Sequence, residues 1–418
     1  MGAREDLEAI GKEVPKDLPK VKKVAVAYSG GLDSALVIRL LQEFYGAEEV
    51  IPVTVNVGLD EEELENARRK AEIVGVADKW RLIDKVDEFV NEWVTKAIRA
   101  NSSYEGYPVS TSMTRQLIAR EVAKVAVEEG CDALAEGSTG KGNDQFRMHH
   151  VFKAFAPELT VVLPIRDFNF TRQEEMALCD RWGIPYKKGI GDDRTLWCRS
   201  IGSGEVDDLK MQVPPEEYIW WVPPERAPEE PVELEIEFDK GIPVRCKVNG
   251  EEWTSLKDII ENLNVLAGRH GIGKIDMFED GIMGLKSREV YEAPAAKVIL
   301  TLHKDLEQLC LTKEEVLFKP VIDEKWAYMV YHGGWYHPLK RALDAFIEET
   351  QEFVRGRYRV RLYKGNMEIL ERESDVGLFA PEIRSLAKKG FDQRDAGPMV
   401  KISALQYQIL SQRRGRPE

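Results

Sequence analysis

Two adjacent glycines in the stretch VAVAYSGGLDSALVIRLLQ, residues 24–42, constrain the fold more than any other feature of the chain. They separate a short apolar run, typical of a buried parallel strand, from a segment whose apolar residues recur at helical spacing. Glycine lets backbone N–H groups turn toward an anion without a Cβ in the way, and the next helix adds unpaired donors. The stretch therefore predicts a strand, a phosphate-binding turn and a helix.

The loop SGGLDS, residues 29–34, narrows the kind of phosphate site. It lacks the lysine of a Walker loop and the third glycine of a dinucleotide fingerprint, which disfavours both of those sites. It resembles instead the S-G-G-x-D-S loop of the N-type ATP pyrophosphatases, the PP-loop enzymes. The resemblance implies that ATP is cleaved between its α and β phosphates. A tight connector with no ligand is the alternative interpretation.

Strand-like and helix-like patterns alternate after a polar leader at residues 1–20, which is typical of a parallel sheet wrapped by helices. Strands are expected at residues 50–57, 131–137 and 159–163, helices at residues 61–74 and 111–129, and a capping box at Thr171 with Glu174. The pattern predicts an α/β fold with a nucleotide-binding domain at residues 21–185.

The periodicity changes after residues 214–231, where six prolines indicate an extended crossing. Apolar and charged residues alternate from residue 232, and residues 249–250 and 364–366 are typical of hairpin turns. These features predict a second, α+β domain at residues 186–395. The tail at residues 396–418 is interpreted either as a helical arm that contacts another subunit or as a frayed end.

Composition excludes several classes of protein. A formal net charge of −14 argues against a broad nucleic-acid surface, so small-molecule partners are favoured. Five scattered cysteines without a C-x-x-C pair favour a reducing compartment, and we expect a cytoplasmic protein. No apolar run approaches the roughly 20 residues of a membrane span. His149 and His150 have no partner at metal-ligand spacing, so no resident metal centre is expected.

A second loop, STGKGNDQFR at residues 138–147, follows the strand expected at residues 131–137. It combines a hydroxyl, an amide, a carboxylate and a guanidinium on backbone expected to be flexible. Such a mixture suits an amino acid, with its ammonium and carboxylate groups, better than a metal ion. Because the loop follows a strand of an open α/β sheet, it is expected at the ligand-binding edge. A solvated polar loop is the alternative.

The two loops together resemble the AYSGGLDTS and ATGKGNDQVRFE signatures of the argininosuccinate synthetase family. The likeness continues through YEGYPVSTSMTRQLIA, LNVLAGRHGIGKIDMFED, GLKSREVYEAP and GFDQRDAGPMVKI, and it spans nearly all the chain after the leader. The resemblance implies a nucleotide-binding lobe, a synthetase and multimerisation lobe, a C-terminal oligomerisation arm and a homotetramer.

The resemblance also implies a reaction: citrulline attacks ATP with Mg²⁺ present, pyrophosphate leaves, and the amine of aspartate displaces AMP from citrullyl-AMP in arginine biosynthesis. The implied catalytic residues are Asp33, Asp144 and Arg115. The implied ATP contacts are Ala27, Tyr28, Ser29, Gly30, Gly31, Leu32, Asp33, Ser34, Ala35, Val55 and Gly137. Thr139, Asn143 and Asp144 match aspartate contacts. The implied citrulline contacts are Tyr107, Ser112, Asn143, Arg147, Ser200, Glu279 and Tyr291.

Several residues depart from the family pattern. Gly191 stands where the family has a serine that contacts citrulline, Gly281 where it has arginine, and Glu136 where it has histidine. Two alternatives therefore remain open: a related AMP-forming ligase that acts on another ureido or amide acceptor, and a binding or regulatory protein that has lost catalysis. The intact SGGLDS loop disfavours a protein that has lost catalysis.

Overall fold

A computed structural model describes residues 2–186, 191–202 and 204–416. The chain forms two compact units, one that runs to Val376 and one that starts at Gly377. The first part of the larger unit contains α1 (Ala3–Ala9), β1 (Lys23–Ala27), α2 (Leu32–Leu40), β2 (Glu49–Asn56), α3 (Glu61–Ile73), β3 (Arg81–Asp84), α4 (Val86–Glu88), α5 (Thr95–Arg99), α6 (Thr111–Glu128), β4 (Ala133–Ala135), α7 (Asp144–Phe155), β5 (Thr160–Val162), α8 (Pro164–Asp167) and α9 (Arg172–Trp182).

The second part of that unit is richer in antiparallel strands. It contains β6 (Gly191–Arg194), β7 (Arg199–Gly202), β8 (Val232–Asp239), β9 (Ile242–Val248), β10 (Glu251–Trp253), α10 (Leu256–Arg269), β11 (Lys274–Asp280), β12 (Lys286–Glu292), α11 (Pro294–Cys310), α12 (Lys313–Tyr331), α13 (Pro338–Thr350), β13 (Gly356–Tyr363) and β14 (Asn366–Glu373). The smaller unit contains α14 (Pro381–Arg384) and α15 (Ala396–Arg414).

Strands β1 to β5 form one parallel sheet in the order β3-β2-β1-β4-β5. The chain moves outward from β1 to β3 on one side, then resumes at β4 on the other side. This reversal makes a topological switch point between β1 and β4, where open α/β sheets bind ligands. The loops that follow β1 and β4 therefore leave the sheet side by side at its carboxyl edge.

Both faces of this sheet are covered, which explains the continuous apolar runs in its strands. Val24 and Val26 of β1 belong to one buried cluster with Leu36 of α2. Ala25, between them, belongs to the cluster on the other face with Leu117 of α6. Successive side chains of a strand point to opposite faces, so β1 anchors both layers and holds the loop after it in place.

The second part contains two antiparallel sheets. One has the order β10-β9-β8-β13-β14 and the other has the order β11-β12-β7-β6. Burial alternates along β8 as its sequence does, with apolar side chains inside and glutamates outside. The hairpin turns at residues 249–250 and 364–365 have positive φ at both positions, as type I′ turns require.

Most of the expected elements are confirmed. The parallel sheet, the helix at Thr111–Glu128, the capping box at Thr171 and both hairpins lie where the sequence predicts them. Residues 214–231 contain one 3₁₀ turn, Pro215–Glu217, and otherwise no helix. The division of the chain at residues 20, 185 and 395 stays a prediction.

Three expectations need correction. The strand expected at residues 131–137 is confined to Ala133–Ala135. The polar loop at residues 138–147 is only partly a loop, because α7 begins at Asp144. The leader contains a helix, α1, and the Leu7 side chain of this helix is buried in the same apolar cluster as Leu36 of α2.

The smaller unit consists mainly of α15, so the tail is helical over Ala396–Arg414, as the interpretation of residues 396–418 as a helical arm expects. None of the side chains of α15 is buried. Its exposed large apolar side chains are Met399, Val400, Ile402, Leu405, Tyr407, Ile409 and Leu410. Among the residues that the structure describes, no helix, α15 included, is both long and apolar enough to span a bilayer.

Candidate active site

The turn between β1 and α2 has the conformation that its two glycines predict. Gly30 has φ +72°, and a Cβ there would lie 2.5 Å from the Cα of Ala67 in α3. Gly31 precedes α2 with extended backbone, and its N–H donates to Ser29 Oγ at 3.2 Å. The first N–H groups of a helix have no partner within it, so the turn presents donors to an anion.

Residues of the turn differ in what they can offer a ligand. Tyr28, Leu32 and Ala35 have buried side chains, and the Tyr28 hydroxyl donates to the Ala67 carbonyl at 2.9 Å. A ligand would therefore meet mainly the backbone of these residues. Ser29 and Ser34 have their hydroxyl oxygens 3.3 Å apart at the mouth of the turn.

A cation from a distant helix closes one side of the turn. Arg172, the first residue of α9, forms an ion pair with Asp33, and its Nη1 lies 3.1 Å from Glu175 Oε2. Burial, together with the nearby Asp33 carboxylate, raises the pKa of Glu175 to about 7. The turn thus has two carboxylates and one guanidinium at its edge.

The loop after β4 lies against the turn after β1. A Cβ at Gly137 would come 3.2 Å from the Cβ of Asp33, so glycine permits this close approach. Glu136 precedes it, is only 3 % exposed, and accepts the Ser138 N–H through Oε2 at 2.6 Å. Burial raises the pKa of Glu136 to about 7, although the hydrogen bonds from Ser138 oppose that shift.

Asp144 is the centre of a charge cluster at the start of α7. Its Oδ2 accepts from Arg115 Nε at 2.8 Å, and its Oδ1 accepts from Arg147 Nη1 at 2.8 Å. Arg115 also forms an ion pair with Asp193 on β6. Burial alone would raise the pKa of Asp144, but the two guanidiniums hold it below its usual range. The cluster therefore combines cationic and anionic groups, as the binding of a zwitterion requires.

A chain of hydrogen bonds runs from this cluster into the antiparallel sheet. Asn143 Nδ2 donates to the Tyr331 hydroxyl at 2.9 Å, and that hydroxyl donates to Glu279 Oε1 at 2.6 Å. The Tyr291 hydroxyl donates to Glu279 Oε2 at 2.8 Å. Burial raises the pKa of Glu279, and the hydrogen bonds from the two tyrosines partly offset that shift. Arg147 lies over the Tyr331 ring, 4.6 Å from its centroid.

Two of the remaining predicted citrulline contacts, Tyr107 and Ser200, lie next to Tyr291. Tyr107 stacks on it with ring centroids 4.4 Å apart, and Ser200 is its cross-strand neighbour. The Tyr107 hydroxyl accepts the backbone N–H of Ser110 and of Thr111, both at 2.8 Å. Ser112 is fully buried, and its hydroxyl has no hydrogen-bond partner among the described residues.

The structure therefore brings most of the predicted residues to one edge of the parallel sheet. Residues 27–35 contain the phosphate turn, Gly137 lies against Asp33 of that turn, and Arg115 and Arg147 meet at Asp144, while Val55 is buried in the neighbouring strand β2. Thr139 lies in the intervening loop, where its Oγ1 is 3.4 Å from the Lys141 nitrogen. His149 and His150 are both exposed on α7.

The structure shows what surrounds two of the residues that depart from the family pattern. Gly191 is exposed and pairs with Gly202 across β6 and β7. At Gly281, a Cβ would lie 3.1 Å from Asn143 Oδ1 and 3.2 Å from the Leu285 carbonyl. Gly281 thus allows the strand end to approach the second loop.

The fold brings to the site, from distant segments, three residues that the family resemblance did not assign to it: Arg172, Tyr331 and Asp193. No local motif marks them, because each one contacts the site only through tertiary packing. The strings that carry the family resemblance contain none of the three.

The parallel sheet with its switch point, the glycine turn that replaces a Walker loop and the second ligand loop beside it define a PP-loop ATP pyrophosphatase, built on a HUP domain. A family model described as "Arginosuccinate synthase N-terminal HUP domain" matches residues 23–185, and one described as "Arginosuccinate synthase C-terminal domain" matches residues 191–410. The chain belongs to the argininosuccinate synthase family, whose members condense citrulline and aspartate in arginine biosynthesis.

Curated relatives agree with the family models. Argininosuccinate synthase of Methanopyrus kandleri is 45% identical over 94% of this chain and 100% of its own length. The enzymes of Methanocaldococcus jannaschii and Pyrococcus furiosus are 43% and 42% identical over 95% and 93% of this chain, and over 100% and 95% of their own lengths. A solved tRNA thiolase from Methanococcus maripaludis is 19% identical, with a TM-score of 0.30, over 44% of this chain and 65% of its own.

Proposed function

We propose that this protein joins citrulline to aspartate at the edge between β1 and β4, through a citrullyl-AMP intermediate, with AMP and pyrophosphate as products. One observation supports this most strongly: the phosphate turn and the charge cluster around Asp144 lie side by side at the topological switch point. A nucleotide bound at the phosphate turn would place its α phosphorus beside an amino acid held by the charge cluster.

Residues 29–34 would hold the phosphates of ATP. The backbone donors of the turn and the positive end of α2 suit the β and γ phosphates, which become the leaving pyrophosphate. The ureido oxygen of citrulline would then attack the α phosphorus. Arg172 lies close enough to the turn to exchange its Asp33 partner for a phosphate oxygen.

The donor set at the turn also fits Mg²⁺. This ion is usually held by one or two carboxylates together with substrate phosphates. Asp33 supplies a carboxylate and Ser34 a hydroxyl, while the described residues contain no group of three or more His, Cys, Asp or Glu that could hold a metal ion. Asp33 and Ser34 would hold Mg²⁺ that arrives with the nucleotide, and the ion would neutralise charge on the phosphates.

Aspartate would bind at the charge cluster. Asp144 and Asn143 supply acceptors for its ammonium group, Thr139 supplies a hydroxyl, and Arg115 has the planar geometry that suits a carboxylate. Because Asp144 now holds two guanidiniums, an arriving aspartate carboxylate would compete for one of them. We therefore expect the side chains of the aspartate site to move closer to aspartate when it binds.

Citrulline would bind between the charge cluster and β12. Arg147 and Glu279 offer opposite charges to its carboxylate and ammonium groups, and Tyr107 and Tyr291 line the space beside them. Ser112 and Ser200 remain proposed contacts. Since Gly191 lacks the serine hydroxyl of the family, Gly191→Ser should leave KM for citrulline unchanged or lower it.

Product analysis tests the reaction. Purified protein with ATP, citrulline and aspartate should yield argininosuccinate, AMP and pyrophosphate in equal amounts, as measured by mass spectrometry. ADP and phosphate as primary products would refute the proposal. Asp144→Asn should reduce argininosuccinate formation more than citrulline-dependent exchange of pyrophosphate into ATP without aspartate; equal losses would refute its assignment to aspartate.

We also propose a homotetramer in the cytoplasm. The exposed apolar side chains of α15 support association through this helix, and the five buried, unpaired cysteines fit a reducing compartment. Light scattering should give four times the mass of one chain. Ile402→Lys should lower that mass, whereas the exposed control Gln408→Lys should not.

A further inference from the structure

Glu136 carries a buried carboxylate oxygen that the rest of the chain leaves unpaired. Oε2 accepts the Ser138 N–H, but Oε1 has no hydrogen-bond partner among the described residues and no access to solvent. Buried polar atoms are almost always paired in folded proteins, so an unpaired carboxylate oxygen indicates a missing donor. A bound substrate is one source of such a donor.

The position of Glu136 indicates which substrate this is. It follows β4 directly and begins the second loop, and β4 pairs with β1, the strand that leads into the phosphate turn. Leu134, two residues earlier, belongs to the buried cluster on the sheet face of α6 and α7, whereas Ala133 and Ala135 belong to the cluster on the other face. Alternation therefore places Glu136 toward α6 and α7, which carry Arg115 and Asp144.

Charges around Glu136 confirm that placement. Arg115 and Asp144 are the charged side chains that act on its carboxyl group electrostatically. Both oxygens of Asp144 already accept from a guanidinium, Oδ2 from Arg115 and Oδ1 from Arg147. Asp144 is thus a poor proton acceptor, while Oε1 of Glu136 remains available in the same region.

The second half-reaction needs such an acceptor. Aspartate enters as an ammonium ion, which has no lone pair and cannot attack carbon. On the basis of the proposed function above, we propose that Glu136 is a further catalytic residue, the general base that removes a proton from the ammonium of the bound aspartate.

One proton passes from the ammonium nitrogen to Glu136 Oε1, and the freed lone pair forms the bond to the ureido carbon of citrullyl-AMP. The bond between that carbon and the bridging oxygen breaks, and its electron pair leaves with AMP. The second nitrogen proton passes to the phosphate of AMP, and the guanidinium group of the product keeps the proton already on the intermediate.

The acidity of Glu136 suits this role. A general base works best when its pKa lies near the working pH, and burial raises the pKa of Glu136 to about 7. A glutamate carboxylate with the usual, lower pKa would be a weaker base and would compete less well with the amine of aspartate for the proton.

Glu136→Gln tests the proposal because it keeps the shape and the acceptor for Ser138 but cannot take a proton. We expect argininosuccinate formation to fall by about 10²- to 10⁴-fold in kcat. Pyrophosphate exchange into ATP with citrulline alone should stay within about threefold of wild type, because activation does not use this base. Glu136→Asp, which keeps a carboxylate, should recover part of the lost turnover.

The control is Glu128→Gln at the exposed end of α6, which should match wild type in both assays. Thermal unfolding checks that each variant folds. The proposal is overturned if Glu136→Gln keeps more than about a third of its turnover, if exchange falls as much as turnover, or if a folded Glu136→Asp is no better than Glu136→Gln. A wild-type protein that forms no argininosuccinate would instead refute the proposed function.

Discussion

Tyr331 links the proposed aspartate and citrulline sites through one hydroxyl group, so Tyr331→Phe should impair stability and substrate binding together. The hydroxyl accepts from Asn143 and donates to the Glu279 carboxylate. Its ring would stay in place, stacked on Tyr104 with centroids 3.8 Å apart. The substitution therefore removes two hydrogen bonds and leaves the packing nearly unchanged.

The size of the effect follows from these two bonds. A hydrogen bond to a charged group contributes about 1.5–3 kcal/mol and a neutral one about 0.5–1.5 kcal/mol, so the loss is about 2–4.5 kcal/mol. The unfolding entropy of globular proteins, about 2.1 cal/mol/K per residue, amounts to roughly 0.8 kcal/mol/K for a unit that runs to Val376. Tm should therefore fall by about 3–6 °C.

Substrate binding provides the second readout. Without the Tyr331 hydroxyl, Glu279 keeps the hydrogen bond from Tyr291 to Oε2 but loses the one to Oε1, so its carboxylate is held less firmly toward the ammonium group of citrulline in the proposed site. We expect kcat/KM for citrulline to fall by about 10- to 100-fold, which corresponds to about 1.4–2.7 kcal/mol, and mainly through KM. KM for ATP should change little, because the phosphate turn does not contact Tyr331.

Tyr328→Phe is the matched control. Tyr328 lies on the same helix, is 43 % exposed, and its hydroxyl makes no hydrogen bond within the described residues. It should change neither Tm nor kcat/KM. If Tyr331→Phe keeps its Tm within about 1 °C of wild type and leaves KM for citrulline unchanged, the hydroxyl does not support the site as described.

Three further predictions concern the phosphate turn. Gly30→Ala places a Cβ against Ala67 at positive φ, which costs at least about 1–2 kcal/mol of stability before the clash is counted. Calorimetry should show that the affinity for ATP falls more than tenfold. An unchanged affinity would contradict the proposed phosphate contact. Asp33→Asn should reduce turnover at least about 100-fold while Tm changes by less than about 2 °C, because the exposed pair with Arg172 contributes only about 0–1 kcal/mol; a large fall in Tm with normal turnover would mean that the carboxylate is structural. The pKa of Glu175 is raised in the folded state, so the stability of wild type relative to Glu175→Gln should be highest below pH ~4.5, fall as the pH rises to about 7, and stay constant above that. Unfolding measured from pH 4 to 9 checks the sign of this pH dependence. The opposite slope would show that the ion pair with Arg172 outweighs the effect of burial on Glu175.

The phosphate turn could be predicted from the sequence because its causes are local. Gly30 and Gly31 set the backbone conformation, and the apolar runs on either side set the strand and the helix. The hairpin turns and the capping box at Thr171 were predictable for the same reason, since each depends on residues within a few positions of one another. The strand after residue 131 was overestimated because periodicity marks its ends poorly.

The contacts of the candidate site were less predictable. Membership in the family strings points to Asn143 and Glu279, but not to the tyrosine between them. Tyr331 lies 188 residues from Asn143 and 52 from Glu279, so only the packing of α12 against the two loops brings the three together. Arg172 likewise reaches Asp33 across 139 residues.

By itself, the sequence determined the fold class, the phosphate turn and the family, because these depend on short-range backbone preferences, hydrophobic periodicity and strings of residues in order. Only the tertiary structure decided which charges meet: that Asp144 is held by two guanidiniums, and that Glu136 keeps one oxygen unpaired. Burial and partners depend on which distant segments pack together, and the same carboxyl group is an ion-pair partner in one setting and a proton acceptor in another.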